Sequence, residues 1–389
     1  MSQVVKQSRS HLSTAFGAFF LLASYGILMG ALPSELASRG LKSNQIGLIV
    51  GCNALGAFGF RFLALNVIDR MGAAKIASVS SFCSVVASLG LAAIMVHYQA
   101  TAIPLAGVNF IQGAATSAFL TSGYTYCAQV GDPAKRATRI GLYGSIASIG
   151  LLLTPPIGIW LWSAGTNFYL WLMPALLALP AMILMPGDHR DAVRVAEPGE
   201  NEGSLIALLG FAVLAPLFAL AVSAGIQGGF EAQMPFLVKD FSAQSIIVAL
   251  YAFFGIAVAG GRFGGGWLAD LAGAKLIFFV GLALQTCALF LPLATPNAIG
   301  LLLSSIIFGA GSGMVGTAAI TLLSLAAPEH RSGAAIGLAG LVRDAGFAVG
   351  AAATGLVVAV GGARAFLCGG ILLTVVSLMM SARIYRSRD

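Results

Sequence analysis

The feature that most constrains this chain is a succession of apolar runs separated by breaks of only a few polar residues. A helix that crosses a bilayer needs about 20 mostly apolar residues. The pattern predicts such helices over 13–36, 45–65, 75–97, 102–127, 140–162, 168–186, 205–233, 244–265, 276–295, 298–326, 333–359 and 366–384. The breaks carry turn or charge signals: SRGLKSN (38–44), DRMGAAK (69–75), GDPAKRATR (131–139), SAGTN (163–167) and GGAR (361–364). Of the 389 residues 58% are hydrophobic and 9% charged, with a mean hydropathy of +0.92. A soluble domain carries about 25% charge. A water-soluble globule is excluded, and an all-α membrane protein of twelve transmembrane helices is expected.

Charge orients the bundle. With the N-terminus in the cytoplasm, sixteen Lys and Arg residues fall on inner segments, including Lys6, Arg9, Arg61, Arg70, Lys75, Arg262 and Lys275. Four fall outside: Arg39, Lys42, Lys239 and Arg364. This positive-inside bias predicts both termini in the cytoplasm, and the membrane that this multi-pass protein crosses is read as a bacterial-type inner (plasma) membrane. The bias also accounts for the net charge of +7 without a nucleic-acid partner. The apolar run of residues 14–34 exceeds a signal-peptide core and reads as a retained first span. PGDHRDAVRVAEPGENEG (186–203) is the extended polar run. The expected organisation is therefore a six-helix bundle over 1–186, a cytoplasmic linker over 187–204 and a second bundle over 205–389.

The halves repeat. Shifting by 201 lays RFLALNVIDRMGA (61–73) on RFGGGWLADLAGA (262–274), matching Arg61 with Arg262, Asp69 with Asp270 and Gly72 with Gly273. Shifting by 196 lays IGLYGSIASIG (140–150) on IGLAGLVRDAG (336–346). Spans 1 and 7 share Pro33 and Pro235, each followed by a Ser-x-Gln turn. Two parallel six-helix repeats form a known transporter architecture, and this chain resembles the major facilitator superfamily (MFS), in particular its bacterial drug and metabolite exporters. GRFGGGWLADLAGAK resembles the family's signature between spans 2 and 3 and between 8 and 9. Gly266, Asp270, Gly273 and Lys275 match in the second half. Asp69, Arg70, Gly72 and Lys75 match in the first, where Leu65 stands at the expected glycine. The resemblance implies a cytoplasmic gate built on these residues with Arg61 and Arg262. Asp69 is expected near Gly333, where a helix N-terminus favours an anion; ordinary loop capping is the alternative.

GLYGSIASIGLLLTPPIG (141–158) resembles the span-5 signature of the family's exporters through Gly141, Gly150, Pro155 and Gly158, with Thr154 replacing one glycine. Small residues at this spacing are expected to pack span 5 against span 8, as any membrane bundle might use them. The span-4 signature of proton-driven relatives has an arginine where VNFIQG (108–113) has Asn109, which leaves coupling to another residue.

That residue is sought in LVRDAGFAVG (341–350). Arg343 lies about ten residues into span 11, roughly 15 Å along a helix rising 1.5 Å per residue, in mid-bilayer. Embedded charges are functional candidates by default. Neighbouring helix positions are about 100° apart, so the two are expected not to cancel within one helix. Asp344 is read as the proton carrier, and Arg343 as a binder of a cargo carboxylate or a tuner of Asp344. A fixed ion pair is the structural alternative. Glu231, one turn before Pro235, is the second proton-coupling candidate, with snorkelling as its alternative. Glu35 is expected at the solvated interface. Tyr25, Asn53, Asn109, Gln112, Tyr124, Gln227 and Gln285 are candidate polar contacts for a cargo, or bonds between helices.

No cofactor or metal is expected. Cys52, Cys83, Cys127, Cys287 and Cys368 form no CxxC pair, and four scattered histidines form no cluster. GSGMVG (311–316) fits G-x-G-x-x-G but lies inside an apolar span without a preceding strand. An enzyme is not expected. The reading is a monomeric secondary transporter that exports a small organic solute, such as a drug or metal-chelating metabolite, in exchange for protons. Proton-coupled uptake of a small polar or anionic metabolite is the alternative.

Overall fold

In the computed structural model the described residues are 3–41, 43–97, 102–165, 167–184, 213–241, 246–328 and 331–386, and every regular element among them is helical. The helices are α1 (Gln3–Ser38), α2 (Ser43–Met71), α3 (Ala73–His97), α4 (Ala102–Gln129), α5 (Arg136–Ser163), α6 (Asn167–Leu184), α7 (Leu214–Asp240), α8 (Ile247–Ala272), α9 (Ala274–Ala294) and α10 (Ala298–Ala326). The last element, Ser332–Arg386, breaks at Gly362 into α11 (332–361) and α12 (363–386). Gly362 has φ 68°, a left-handed value that glycine adopts without a Cβ penalty. The break falls in the predicted GGAR turn and brings the long helices among the described residues to twelve, the number expected from the apolar runs. The expected linker and the first residues of predicted span 7 lie outside the described residues.

Helices α2, α7 and α8 run six or seven residues past their expected ends, and in α2 and α8 this places the signature aspartates. Spans 2 and 8 were bounded at 65 and 265, where polar residues follow, yet α2 continues to Met71 and α8 to Ala272. Asp69 and Asp270 therefore sit in helical last turns. Gly72 (φ 85°) and Gly273 (φ 90°) then turn the chain, and their amides close the helices onto Ile68 and Ala269 carbonyls at 2.9 Å each. A sharp glycine stop lets a helix keep its charged final turn.

The chain forms two compact units. The first comprises Met1–Gly131, Ile146–Pro198 and Glu329–Gly337; the second comprises Asp132–Ser145, Gly199–Pro328 and Leu338–Asp389. The first unit buries Ile27, Leu32, Leu36, Leu91, Met95, Leu161 and Trp171 in one cluster. Nearer the α2–α3 turn a smaller cluster joins Ile68, Ile76, Tyr126 and Val130. The second unit packs Phe230, Phe254 and Phe308 as a stack, with centroids 5.5–6.4 Å apart, among Leu237, Phe241, Leu250 and Leu301. Large apolar side chains such as Phe62, Ile103, Ile183 and Val360 point outward, as a hydrocarbon solvent permits.

Candidate functional site

The repeated loop signature builds the same contact twice. In the first unit both carboxylate oxygens of Asp69 accept backbone N–H groups at the start of α11, from Gly333 and Ala334, each at 2.9 Å. In the second unit both oxygens of Asp270 accept the N–H groups of Ala137 (2.8 Å) and Thr138 (2.7 Å) at the start of α5. The first N–H groups of a helix lack intrahelical acceptors, so a carboxylate satisfies two of them and meets the positive end of the dipole. The Asp69 contact lies where the sequence placed it. The Asp270 partners were not foreseen, although the shift of 196 that relates the halves carries Gly333 onto Ala137. Burial raises the Asp69 carboxyl to about 6 from 3.8, against the lowering effect of the two N–H bonds and of Arg331.

Around these two contacts the signature residues divide. Arg61 Nε donates to Ser117 of α4 at 3.0 Å. Arg262 donates to the Gly144 carbonyl of α5 at 3.2 Å, and its own carbonyl accepts from Thr317 of α10 at 3.3 Å. Arg70 and Lys75 are exposed, and Lys275 is half-buried. Two further bonds were missed: Gln129 at the end of α4 donates to Ser332 at 2.6 Å, and Arg136 donates to the Ser324 carbonyl of α10 at 3.4 Å. Single polar residues at helix ends carry no sequence signal that separates them from loop solvation.

The span-5 signature faces two ways. Gly141 approaches the Arg262 carbonyl and Gly266 of α8, and Gly266 in turn approaches Ala137 and Gly141. Gly150 and Gly158 pack instead on the α1 backbone, at Phe19 and Ile27. Gly30 of α1 returns the contact against Pro155, and Gly26 against Thr154. The expectation that this signature packs on span 8 thus holds for Gly141 alone, because a helix of twenty-odd residues rotates several neighbours past any one partner. The second unit repeats the α1–α5 seam between α7 and α11, where Gly346 meets the Ala221 carbonyl and Gly350 meets Gly225.

Arg343 and Asp344 lie on this α11. Counted at 100° per residue, Arg343 shares the side that carries Gly346 and Gly350 toward α7, and Asp344 is one step round. Their side chains are about a third exposed, 32% and 30%, and Arg343 Nη1 stands 3.7 Å from Asp344 Oδ1. The two stand within ion-pair distance although neighbouring helix positions are about 100° apart. The long guanidinium stem bends back across the 100° that separates the two Cβ directions.

The other polar candidates are drawn into packing. Asn53 Nδ2 donates to the Asn109 carbonyl at 3.3 Å, and Asn109 Nδ2 donates to Leu105 of its own helix at 2.9 Å. Gln112 donates to Ser84 at 2.9 Å and Gln285 to Ser223 at 2.6 Å, while Gln227 accepts from Ser312 at 2.8 Å. All five are buried. Tyr25 and Tyr124 are half-buried. Glu231 is on α7, with its side chain outside the described residues. Among the described residues no group of His, Cys, Asp and Glu is arranged to hold a metal.

A repeated six-helix plan, with both loop signatures seated on helix N-termini, defines a class of membrane transporter. The chain belongs to the Major Facilitator Superfamily, whose family profile matches residues 14–351. It is therefore a multi-pass secondary transporter. Its fold is similar to that of the human organic anion transporter MFSD10 (TETRAN), at 16% identity and a TM-score of 0.76, covering 96% of this chain and 99% of that one. It is also similar to the fucose:proton symporter FucP of E. coli, at 13% identity and a TM-score of 0.72, covering 97% and 98%. A structure of FucP in its outward conformation gives 14% identity and a TM-score of 0.69 over the same shares.

Proposed function

We propose that this transporter exports a small organic solute across the bacterial inner membrane in exchange for protons, with Asp344 as the proton carrier and Arg343 as its partner. The observation that carries the reading is the Arg343–Asp344 pair within α11, about a third exposed. A charge at that depth is unfavourable by roughly 2.5–3.5 kcal/mol on insertion scales unless it meets water or a partner. A pair left a third exposed can exchange its partner for a cargo.

The pairing also supports a distinct role for each cargo charge. A cationic amine binds the Asp344 carboxylate in place of a proton, so proton and cargo exclude one another, as exchange requires. A carboxylate on Arg343 is favoured when Asp344 is protonated and releases the guanidinium, which makes proton and cargo travel together. The exporter reading therefore requires an amine-bearing or zwitterionic solute, and an anionic cargo gives the symport alternative. The Asp69 and Asp270 contacts serve as latches that alternate with the transport cycle.

The test is transport in proteoliposomes, with cargo supplied by comparing metabolites in cells and medium with and without the protein. Asp344→Asn is expected to fold normally and to lose pH-driven flux. Flux retained at the wild-type rate removes Asp344 from the coupling. Acidifying the cargo-binding side weakens cargo binding in the exporter reading and strengthens it in the symporter.

A further inference from the structure

The sequence places Glu35 at a solvated interface, but the structure buries it, with its side chain 9% exposed. Its two oxygens hold three helices together at the end of the first unit opposite the Asp69 latch. Oε1 accepts from Arg39 Nε at 2.7 Å, and Oε2 accepts from the indole N–H of Trp162 on α5 at 2.9 Å. Arg39 then donates through Nη2 to the Met95 carbonyl of α3 at 2.7 Å. The cluster closes the α1–α5 seam that begins at Phe19 and Gly150 and passes Ile27 and Gly158.

The repeat supplies a comparison inside the same molecule. The Pro33–Pro235 shift of 202 carries Phe19 onto Ala221, which is the seam contact of Gly346, so the register is fixed by structure as well as sequence. In that register Glu35 and Arg39 correspond to Leu237 and Phe241, and Trp162 corresponds, at a shift of 196, to Val358. Leu237 and Phe241 belong to the apolar cluster of the second unit, and Val358, partly buried, packs against it. One seam thus ends in charge-assisted bonds and the other in hydrocarbon packing.

These two endings respond differently to separation. Water replaces the partners of a broken hydrogen bond, so its net contribution is only about 0.5–3 kcal/mol. Parted apolar side chains recover nothing from water and lose about 25 cal/mol per Å² exposed. Buried polar clusters also contribute less to stability than well-packed apolar ones of similar volume. We infer that Glu35, Trp162 and Arg39 form a releasable joint, which opens the end of α1 from α5 and α3 during the transport cycle, while the Leu237–Val358 end of the second seam stays closed. Glu35 is on this account a positioning residue for the moving part of α1. The inference rests on the transporter reading but not on its cargo or direction.

Hydrogen exchange of the full-length protein in lipid nanodiscs tests it without any cargo. In wild type, amides over 35–41 and 158–163 are expected to exchange at least about tenfold faster than those over 237–241 and 354–360, given the smaller net worth of polar contacts. Glu35→Gln should speed the first pair further. Glu35→Leu with Trp162→Val, which copies two of the three counterparts in the second unit and leaves Arg39 on the Met95 carbonyl, should slow it toward the rate of the second pair while the thermal midpoint holds or rises. Equal protection of the two seams in wild type overturns the inference. So does a double variant that folds with an unchanged midpoint and keeps the fast exchange. If the double variant does not fold, the wild-type comparison and Glu35→Gln decide alone: a joint whose exchange is unmoved by the loss of the Glu35 charge is not this one.

Discussion

At the residue scale the informative side chains are carboxylates, and each is governed by a different partner. Asp69 combines burial with two backbone donors, and burial prevails, raising its carboxyl to about 6. Relative to an ordinary value of 3.8, the folded protein binds more protons at Asp69 than the unfolded chain between these limits, so the folded state gains stability as pH falls through 6 toward 3.8. The gain is fully present below 3.8 and lost as pH rises through 6. Thermal midpoints of wild type and Asp69→Asn, measured from pH 4 to 8, should diverge in favour of wild type toward acid and run parallel above pH 7. Parallel curves throughout would sink the assignment. Arg343 shows a limit of positional reasoning. The 100° between neighbouring positions is correct for Cβ directions, but a guanidinium on a flexible stem spans it to reach Asp344 at 3.7 Å.

Helix ends and helix seams dominate at the element scale. Deleting a capping carboxylate usually destabilises by about 0.5–2 kcal/mol. Asp69→Ala and Asp270→Ala should each lower the unfolding midpoint accordingly, and more exchange should appear at Gly333–Ala334 in the first and at Ala137–Thr138 in the second. Seams obey a steric rule instead. A Cβ on Gly150 would overlap the Phe19 backbone, whereas one on Gly51 meets nothing within 4 Å. Gly150→Ala is expected to destabilise by roughly 1–3 kcal/mol, the range for overpacking, and Gly51→Ala to leave the midpoint unchanged. Comparable losses at both sites would refute tight α1–α5 packing as the reason for the glycine.

For the whole molecule, duplication is the organising fact. Each unit seats an aspartate from its loop signature on a helix N-terminus and closes a glycine seam, α1–α5 in one and α7–α11 in the other. The charge pair breaks the pattern, because Ala147 and Ser148 stand at the equivalent positions of the first repeat. An exporter with this asymmetry leaves a direct trace in cells: loss of the protein should raise the cargo inside and lower it in the medium, as seen by metabolite profiling. The reverse change would favour uptake.

The amino-acid sequence by itself determined the twelve spans, the two repeats, the break near Gly362 and the seat of Asp69 near Gly333. The first three follow from hydropathy and self-similarity, which are properties of the chain read in one dimension, and the seat of Asp69 came with the resemblance of its loop to the family signature. The partners of Asp270 were within reach of the same repeat arithmetic. Tertiary structure alone decided that Gly150 and Gly158 face α1, that four of the five buried amides bond between helices while Asn109 bonds within its own, and that Glu35 lies enclosed between Arg39 and Trp162. Each of these depends on the rotation of a helix about its axis and on which neighbour meets it there. Hydropathy cannot report that rotation in a bundle where lipid-facing and protein-facing surfaces are equally apolar.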